Sequence, residues 1–287
     1  MPWDPQRRCQ WRSLPCAERS PAPILGGVTL TYGQYLRVPE LLSLQQPLSG
    51  GREHDETLFI IIHQVYELWF KQQIHEALHL QAALERKDDP TTHATLRRML
   101  TILKTMVGQI DVLETMSPIG FDSFRSLLAN ASGFQSVQFR EFEFILGNRN
   151  PAALARYPEG GPERAMLASR LEGRTLWQSF LVRMRADGHA VPAELIDATL
   201  TALPEPNETL QEMLLDVYHH HSDDRVICEL MVDFDEGMQE WRYRHVKMVE
   251  RTIGTKVGTG GSSGAAYLRS TLFRPLFPDL WAIRDRI

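Results

Sequence analysis

The stretch that decides the fold is "HDETLFIIIHQVYELWFKQQIHEAL", residues 54–78. At about 100° per residue, a helix places several apolar side chains within roughly 60° of His63. These are Phe59, Tyr66, Phe70, Ile74, Ala77 and Leu84. The pattern predicts one long amphipathic helix from about residue 56 to 86, with Asp55 as its N-cap and its end before "KDDP".

The same stretch contains "HEALH" at residues 75–79, which matches the zinc-protease pattern H-E-x-x-H. On the helical projection, His75 and His79 lie about 120° and 160° from His63, on the side facing away from the apolar stripe. The extended zinc pattern is H-E-x-x-H-x-x-G-x-x-H. Here Ala82 stands at the position of the glycine and Glu85 at the position of the third histidine ligand, so neither position matches. We therefore interpret HEALH as a solvated helix face and disfavour a zinc hydrolase.

Helical periodicity continues outside this stretch, whereas strand signals are scarce. Residues 149–162 are rich in proline and predict a loop or short helices, and the glycine-rich "GTKVGTGGSSG" (254–264) ends the last long helix. Further helices are predicted at about 92–115, 121–129, 133–147 (ended by Gly147), 175–186, 192–203 and 223–253. Another is predicted to follow "PEPN". The expected fold is all-α, with a poorly ordered tail at 1–28 and one helical domain at 29–287.

Composition limits the classes of function. The 287-residue chain has a net charge of -5 and a pI near 6.1, which predicts no binding to nucleic acid or to an anionic membrane. The longest strongly apolar run, "LFIII" (58–62), is too short to span a bilayer. The three cysteines form no CxxC pair, and the N-terminus lacks the apolar segment of a secretory signal, so we expect a cytoplasmic protein.

Two histidines lie on apolar stripes. His63 is one of them, and His245 shares its helix face with Ile227, Phe234, Met238, Trp241, Val249 and Thr252. Each could be a satisfied core residue. Together they also suit a haem held between helices, with one imidazole on the iron and one above the open face. The tract "HHH" (219–221) falls where one helix is expected to end and the next to begin, and a junction role is favoured there over metal binding.

Four stretches resemble the tryptophan 2,3-dioxygenase family of haem enzymes. They are "LTYGQYLRVPELLSLQ" (30–45), residues 54–78, "LETMSPIGFDSFRSLLANASGFQSVQFR" (113–140) and "EWRYRHVKMVERTIGTKVGTGGSSGAAYLRSTL" (240–272). They occur in the family's order, and the resemblance covers most of the chain from about residue 30 to 281. It implies that the protein opens the indole ring of L-tryptophan with dioxygen to give N-formyl-L-kynurenine, the first step of the kynurenine pathway. It also implies one haem b per subunit, ferrous in the reaction, and a homotetramer built as a dimer of dimers.

The resemblance assigns roles residue by residue. His245 is similar to the proximal haem ligand, and His63 to the distal histidine that accepts a hydrogen bond from the indole N–H. Phe59 would pack on the indole ring. Arg125 matches the arginine that binds the substrate carboxylate, a task that suits a planar guanidinium. Phe121 stands where the bacterial form has a tyrosine whose hydroxyl assists this arginine.

Other matching positions border the same site. Ser132 and Gly133 match the backbone that lines the distal pocket, and Tyr32 and Tyr35 match tyrosines that reach into it, at least partly from a neighbouring subunit. Thr259 matches the threonine that contacts the amino-acid end of the substrate when the glycine-rich loop closes.

Some alternatives stay open at this stage. Arg242, Arg244 and Lys247 either pair with haem propionates or acidic side chains, or form a solvated face. A haem-based sensor of oxygen or redox state would use the same two histidines, but it would have no need for Arg125 and Thr259 as an amino-acid binding site.

Overall fold

The computed structural model describes residues 30–200, 202–256, 258 and 265–287, and across these residues it contains helices and turns but no strand. The predicted all-α class is confirmed. The described residues up to Leu44 form one compact unit, and Gln45–Ile287 form a second. The α-helices are α1 (Tyr32–Leu36), α2 (Val38–Leu41), α3 (His54–Glu85), α4 (Asp89–Leu113), α5 (Pro118–Arg125), α6 (Val137–Leu146), α7 (Pro162–Glu172), α8 (Leu176–Ala186), α9 (Ala193–Asp197), α10 (Glu208–His220), α11 (Ser222–Ile253), α12 (Ala265–Arg269) and α13 (Pro278–Ala282), and 3-10 turns occur at Ser126–Leu128, Gly133–Gln135 and Pro151–Arg156.

Helix α3 begins one residue earlier than Asp55, so the predicted N-cap is wrong. The cap position is Glu53, whose side chain makes no capping hydrogen bond, and Asp55 lies in the first turn. The free N–H groups of that turn and the helix dipole favour carboxylates there. The neighbouring Glu56 is buried and accepts hydrogen bonds from the N–H groups of Leu48 (2.7 Å) and Ser49 (2.9 Å). The segment before α3 is thereby attached to its first turn.

The core of the larger unit is formed by α3, α4 and α11. Their apolar stripes meet in side chains that are almost fully buried, among them Leu80, Leu84, Met99, Leu103 and Phe234. Burying each such side chain stabilises the fold by about 1.5–3 kcal/mol. Helices α4 and α11 approach closely at Gly237, where an added Cβ would lie 2.9 Å from Leu103 Cδ2. These three helices are the frame that carries both stripe histidines.

Several shorter elements differ from the prediction. The predicted helix at 133–147 is a 3-10 turn followed by α6, which ends at Gly147 (φ 107°) as expected. The predicted helix at 192–203 is only α9, because Gln178 Nε2 donates to the carbonyls of Ile196 (3.0 Å) and Ala198 (2.8 Å), and Ala198 is extended. Helix α7 has a single buried residue, Leu167, so its sequence carries little amphipathic signal.

The tract 219–221 lies at the junction between α10 and α11, as predicted. His221 leaves the helical conformation (φ -124°, ψ 82°) and serves as both the C-cap of α10 and the N-cap of α11. Among the described helices, none is long and apolar enough to cross a membrane.

Candidate functional site

His63 projects from α3 with a defined tautomer. Its Nδ1 lies 2.7 Å from the carbonyl oxygen of Phe59, one turn earlier. A carbonyl oxygen only accepts, so Nδ1 carries the hydrogen and Nε2 is left as an acceptor. The surrounding protein lowers the pKa of His63 by desolvation, although the Phe59 carbonyl and Glu67 act in the opposite direction. The imidazole is therefore neutral near pH 7, and it remains open to solvent.

An aromatic wall adjoins His63. The Phe59 ring lies 4.1 Å from the His63 ring, 5.7 Å from Phe121 and 5.5 Å from Phe124, measured between centroids. Phe121 and Phe124 are buried together with Ile62, Leu113 and Met116. Phe121 has no hydroxyl, so this part of the wall is purely apolar.

Arg125 is held at the end of α5, a helix whose position is closely constrained. Ser117 caps α5 by accepting a hydrogen bond from the N–H of Gly120 at 2.9 Å. An added Cβ at Gly120 would lie only 2.2 Å from Asp55 Oδ2 in the first turn of α3. Helices α3 and α5 therefore touch at a glycine. The contact sets the position of Arg125, which is half-buried, relative to the aromatic wall.

Ser132 and Gly133 form the start of a 3-10 turn a few residues after Arg125. The Ser132 hydroxyl accepts from the N–H of Phe134 (3.4 Å), and the Ser132 N–H donates to Gln135 Oε1 (3.3 Å). The Phe134 ring packs edge-on against Tyr267 of α12, with centroids 5.3 Å apart. This turn thus lies beside the helix that follows the glycine-rich segment. Thr259 itself lies outside the residues that the structure describes.

His245 lies on α11 and interacts electrostatically with His63. Burial lowers its pKa to about 4, and the charge that His63 would carry contributes to the same shift. Within the described part of the chain, no hydrogen bond occupies the His245 ring, which stacks on Trp241 with centroids 5.4 Å apart and planes at 16°. The rings of Tyr66 on α3 and Trp241 on α11, each one turn from a stripe histidine, lie 6.3 Å apart, so the helix faces that carry His63 and His245 meet.

Trp241 connects His245 to a second group of aromatic residues. Its ring lies 5.3 Å from Phe139, 6.2 Å from Phe70 and 6.3 Å from Tyr66. Burial raises the pKa of Tyr66 to about 12, so its hydroxyl stays protonated and donates to the carbonyl of Met106 at 2.6 Å. The sequence places Trp241 on the apolar stripe of α11 but assigns it no role. Its position one turn before His245 is the feature of the sequence that could have indicated the contact between the two rings.

The basic residues around His245 pair with acidic side chains. Arg242 is buried and donates to Glu143 at 3.0 Å, Arg244 pairs with Asp111, and Lys247 pairs with Glu250 at 3.0 Å. Of the alternatives left open by the sequence, pairing with acidic side chains is the one that the structure shows for these three residues.

The donor set fits an iron porphyrin. His245 offers a neutral ring nitrogen that no described residue engages, which is what an axial iron ligand requires. His63 lies on the helix face that meets the face of His245, and the rings of Phe59, Phe121 and Trp241 supply the apolar surroundings that a flat macrocycle needs.

The HEALH segment does not form a zinc site. His75 and His79 are exposed, which confirms the predicted direction of this helix face. Glu76, the residue that would act as the base, is buried. Both of its carboxylate oxygens accept hydrogen bonds from Arg98 at 3.1 Å, and one of them also accepts from Gln72 at 2.7 Å. A carboxylate engaged in this way is not available to activate a metal-bound water.

Tyr32 and Tyr35 lie on α1 in the smaller unit. Both are largely exposed, at 78% and 73% of their full accessible surface. Helix α1 begins with a capping box in which Thr31 accepts from the N–H of Gln34 and Gln34 accepts from the N–H of Thr31. Neither α1 nor α2 has a buried residue.

Comparison of the sequence with known proteins places the chain in one family. The family described as tryptophan 2,3-dioxygenase matches residues 23–172 and 208–287. A protein named tryptophan 2,3-dioxygenase from Anaeromyxobacter sp. (strain K) is 55% identical over 265 residues, covering 92% of this chain and 99% of that protein. Proteins with the same name from Herpetosiphon aurantiacus and Xanthomonas campestris pv. campestris are 53% and 39% identical, covering 89% and 90% of this chain and 97% and 88% of their own lengths.

Proposed function

The chain belongs to the tryptophan 2,3-dioxygenase family, and from that premise we propose how its residues perform the reaction. The protein is an oxidoreductase that opens the indole ring of L-tryptophan with dioxygen to give N-formyl-L-kynurenine, with both oxygen atoms entering the product. The observation that carries the proposal is that the helix faces bearing His63 and His245 meet, with His63 beside an aromatic wall.

We assign His245 as the protein ligand that would hold the iron of one haem b per subunit. Haem bound there would supply the iron chemistry by which dioxygen reacts with the indole. The low pKa of His245 keeps its ring nitrogen unprotonated and available as a ligand over the whole physiological pH range. Ser132 and Gly133, whose backbone starts the 3-10 turn, are assigned to the lining of the same pocket.

His63 is assigned to the indole. Because its Nδ1–H is donated to the Phe59 carbonyl, its Nε2 is an acceptor for the indole N–H. The hydrogen bond orients the ring while Phe59 packs on its face and Phe121 closes the apolar wall. An apolar wall also excludes water, which protects a reactive centre from side reactions.

Arg125 is assigned to the substrate carboxylate. Its guanidinium can bind both oxygens at once, and its position at the end of α5 is set by the contact between Gly120 and Asp55. Because Phe121 has no hydroxyl to share this task, the carboxylate depends mainly on Arg125. Thr259 is assigned to the amino-acid end of the substrate.

Assembly and location belong to the same proposal. We propose a homotetramer in which Tyr32 and Tyr35 reach the site of a neighbouring subunit, since both are exposed on a helix with no buried face. The division into a tail at 1–28 and a domain at 29–287, and the cytoplasmic location, stay predictions.

Two measurements on the purified protein test the assignment. A Soret band after expression with adequate haem supply would support the cofactor and argue against the zinc hydrolase. Oxygen uptake by the reduced protein should then depend on L-tryptophan and yield N-formylkynurenine. A haem protein that consumes no oxygen with tryptophan would be a sensor, and a protein that takes up no haem would contradict the role of His245.

A further inference from the structure

Two histidines and a carboxylate from separate segments meet at the junction of α10 and α11. His189 lies in the turn after α8, His221 lies between α10 and α11, and Asp224 lies in the first turn of α11. One potential ligand atom from each lies within 4.8 Å of the other two. Asp224 and His245 are 21 positions apart on the same helix, about 31 Å along its axis, so this cluster is separate from the candidate haem pocket.

The spacing suits a tetrahedral ion. His189 Nε2 lies 3.5 Å from Asp224 Oδ2, and the rings of His189 and His221 lie 4.6 Å apart at an angle of 84°. Two ligands about 2.0–2.1 Å from a tetrahedral zinc ion are separated by roughly 3.3–3.4 Å. His189 and Asp224 are therefore already close to the required separation. His221 offers a ligand atom within 4.8 Å of both and must approach further, and its side chain, which is 45% exposed, has room to turn.

Hydrogen bonds fix the cluster in place. Asp224 Oδ1 accepts from Arg183 Nη2 at 2.8 Å, which leaves Oδ2 directed towards His189. The backbone of His189 is held as well, since its N–H donates to the carbonyl of Met184 at 3.1 Å. The carboxylate of Asp216 lies 3.4 Å from His221 Nε2, an outer partner of the kind that orients ligating histidines and leaves Nδ1 for the ion.

The surrounding charge favours a cation. Arg183 contacts three carboxylates, those of Asp89, Asp187 and Asp224, and Lys87 pairs with Asp187. Counting these five residues gives two positive and three negative charges, a balance of minus one before Asp216 is added. A divalent ion would therefore enter a region of negative potential despite the neighbouring arginine.

We propose that His189, His221 and Asp224 bind one zinc-class divalent ion. Two imidazoles and one carboxylate are ligands that Zn²⁺ prefers, and three protein ligands leave a fourth position for water. The ion would link the turn after α8 to the junction of α10 and α11, and so act as a structural or regulatory cross-link away from the haem. Without metal, His189 and Asp224 form a histidine–carboxylate hydrogen bond, which is the alternative that the experiment separates.

Zinc binding by the haem-loaded, full-length protein provides the test. After dialysis against EDTA, Zn²⁺ is titrated in competition with a chromogenic chelator, and thermal unfolding is followed with and without the ion. We expect one equivalent of tightly bound zinc per chain and a higher unfolding midpoint in its presence. Replacing His189→Gln and His221→Gln together should weaken binding by roughly 100-fold or more and remove the shift.

The matched control is the pair His219→Gln and His220→Gln, taken from the same histidine tract. This variant should bind zinc like the wild type. Loss of binding in the control would show an adventitious site on the tract, and less than one equivalent in the wild type would overturn the proposal without any variant. Haem content and tryptophan turnover verify that each variant is folded. If the His189/His221 variant is misfolded, Co²⁺ added to the wild type must still give the visible bands of four-coordinate cobalt, and their absence would reject the site.

Discussion

At the scale of single residues, His245 and His63 occupy equivalent stripes on two long helices but are assigned opposite tasks. His245→Ala removes the only protein ligand assigned to the iron, so we expect loss or weak retention of haem and a changed Soret position. His63→Ala should keep its haem and lose about 10- to 100-fold in kcat/KM, the equivalent of one oriented hydrogen bond. Absorption spectra and steady-state kinetics measure the two effects. Full haem occupancy with an unaltered spectrum in His245→Ala would refute the assignment.

The histidines of the HEALH segment provide an internal comparison for that experiment. His75 and His79 are exposed on α3, the helix that also carries His63, and Glu76 is engaged by Arg98. We expect the double variant His75→Gln/His79→Gln to retain wild-type haem content and activity. A large loss of activity with an unchanged unfolding midpoint would show that this face of α3 has a function that its exposure does not reveal.

At the scale of elements, the position of α5 relative to α3 depends on a glycine contact. Gly120→Ala places a Cβ against the Asp55 carboxylate, which must then rotate away. Alanine also favours a helix by about 1 kcal/mol over glycine, so the two effects oppose each other in the wild type. In an Asp55→Ala background the clash with the carboxylate is absent, whereas the approach of the added Cβ to Ser117 Oγ (3.2 Å) is the same in both backgrounds. We expect Gly120→Ala to be more favourable there by about 1 kcal/mol, the lower end of the cost of overpacking. Helix propensity cancels in the cycle, so the coupling energy from urea unfolding of the four proteins measures the contact with Asp55 alone.

The same cycle reports on substrate binding. Because α5 ends in Arg125, displacement of this helix should raise the KM for tryptophan in Gly120→Ala, and Asp55→Ala should partly restore it. Additive effects on both stability and KM would mean that α3 and α5 do not communicate through this contact.

At the scale of the whole molecule, the smaller unit presents apolar residues without burying them. Leu30, Tyr32, Tyr35, Leu41 and Leu42 are all exposed. Several exposed apolar residues on one short segment are typical of an interface, and a second copy of the chain would cover them.

Mixing two inactive variants tests whether the site is shared. Subunits with Tyr32→Ala and subunits with Arg125→Ala are each expected to be nearly inactive. After exchange, some sites would combine an intact tyrosine from one subunit with an intact arginine from another, and activity should partly return. Sedimentation of the wild type gives the oligomeric state independently. A fully active monomer, or no recovery after verified exchange, would exclude a shared site.

The sequence alone determined the properties that depend on local periodicity. The 3.6-residue repeat around His63 specified a long helix, the direction of its apolar stripe and the exposure of His75 and His79, since these follow from the geometry of one element. The all-α class and the helix junction at 219–221 were predictable for the same reason. Helix α7 was missed because it buries too little to leave a periodic signal.

Only the tertiary structure decided which stripes meet. Packing of α3 and α11 with α4 brings the ring of Tyr66 to 6.3 Å from that of Trp241, and nothing in either helix specifies that contact. The pairing of Arg242 with Glu143 likewise joins residues that are 99 positions apart in the sequence. His189 and Asp224, which also meet, are 35 positions apart. Helical periodicity describes the face of one helix, whereas the contact between two faces depends on how all the helices fill the core together.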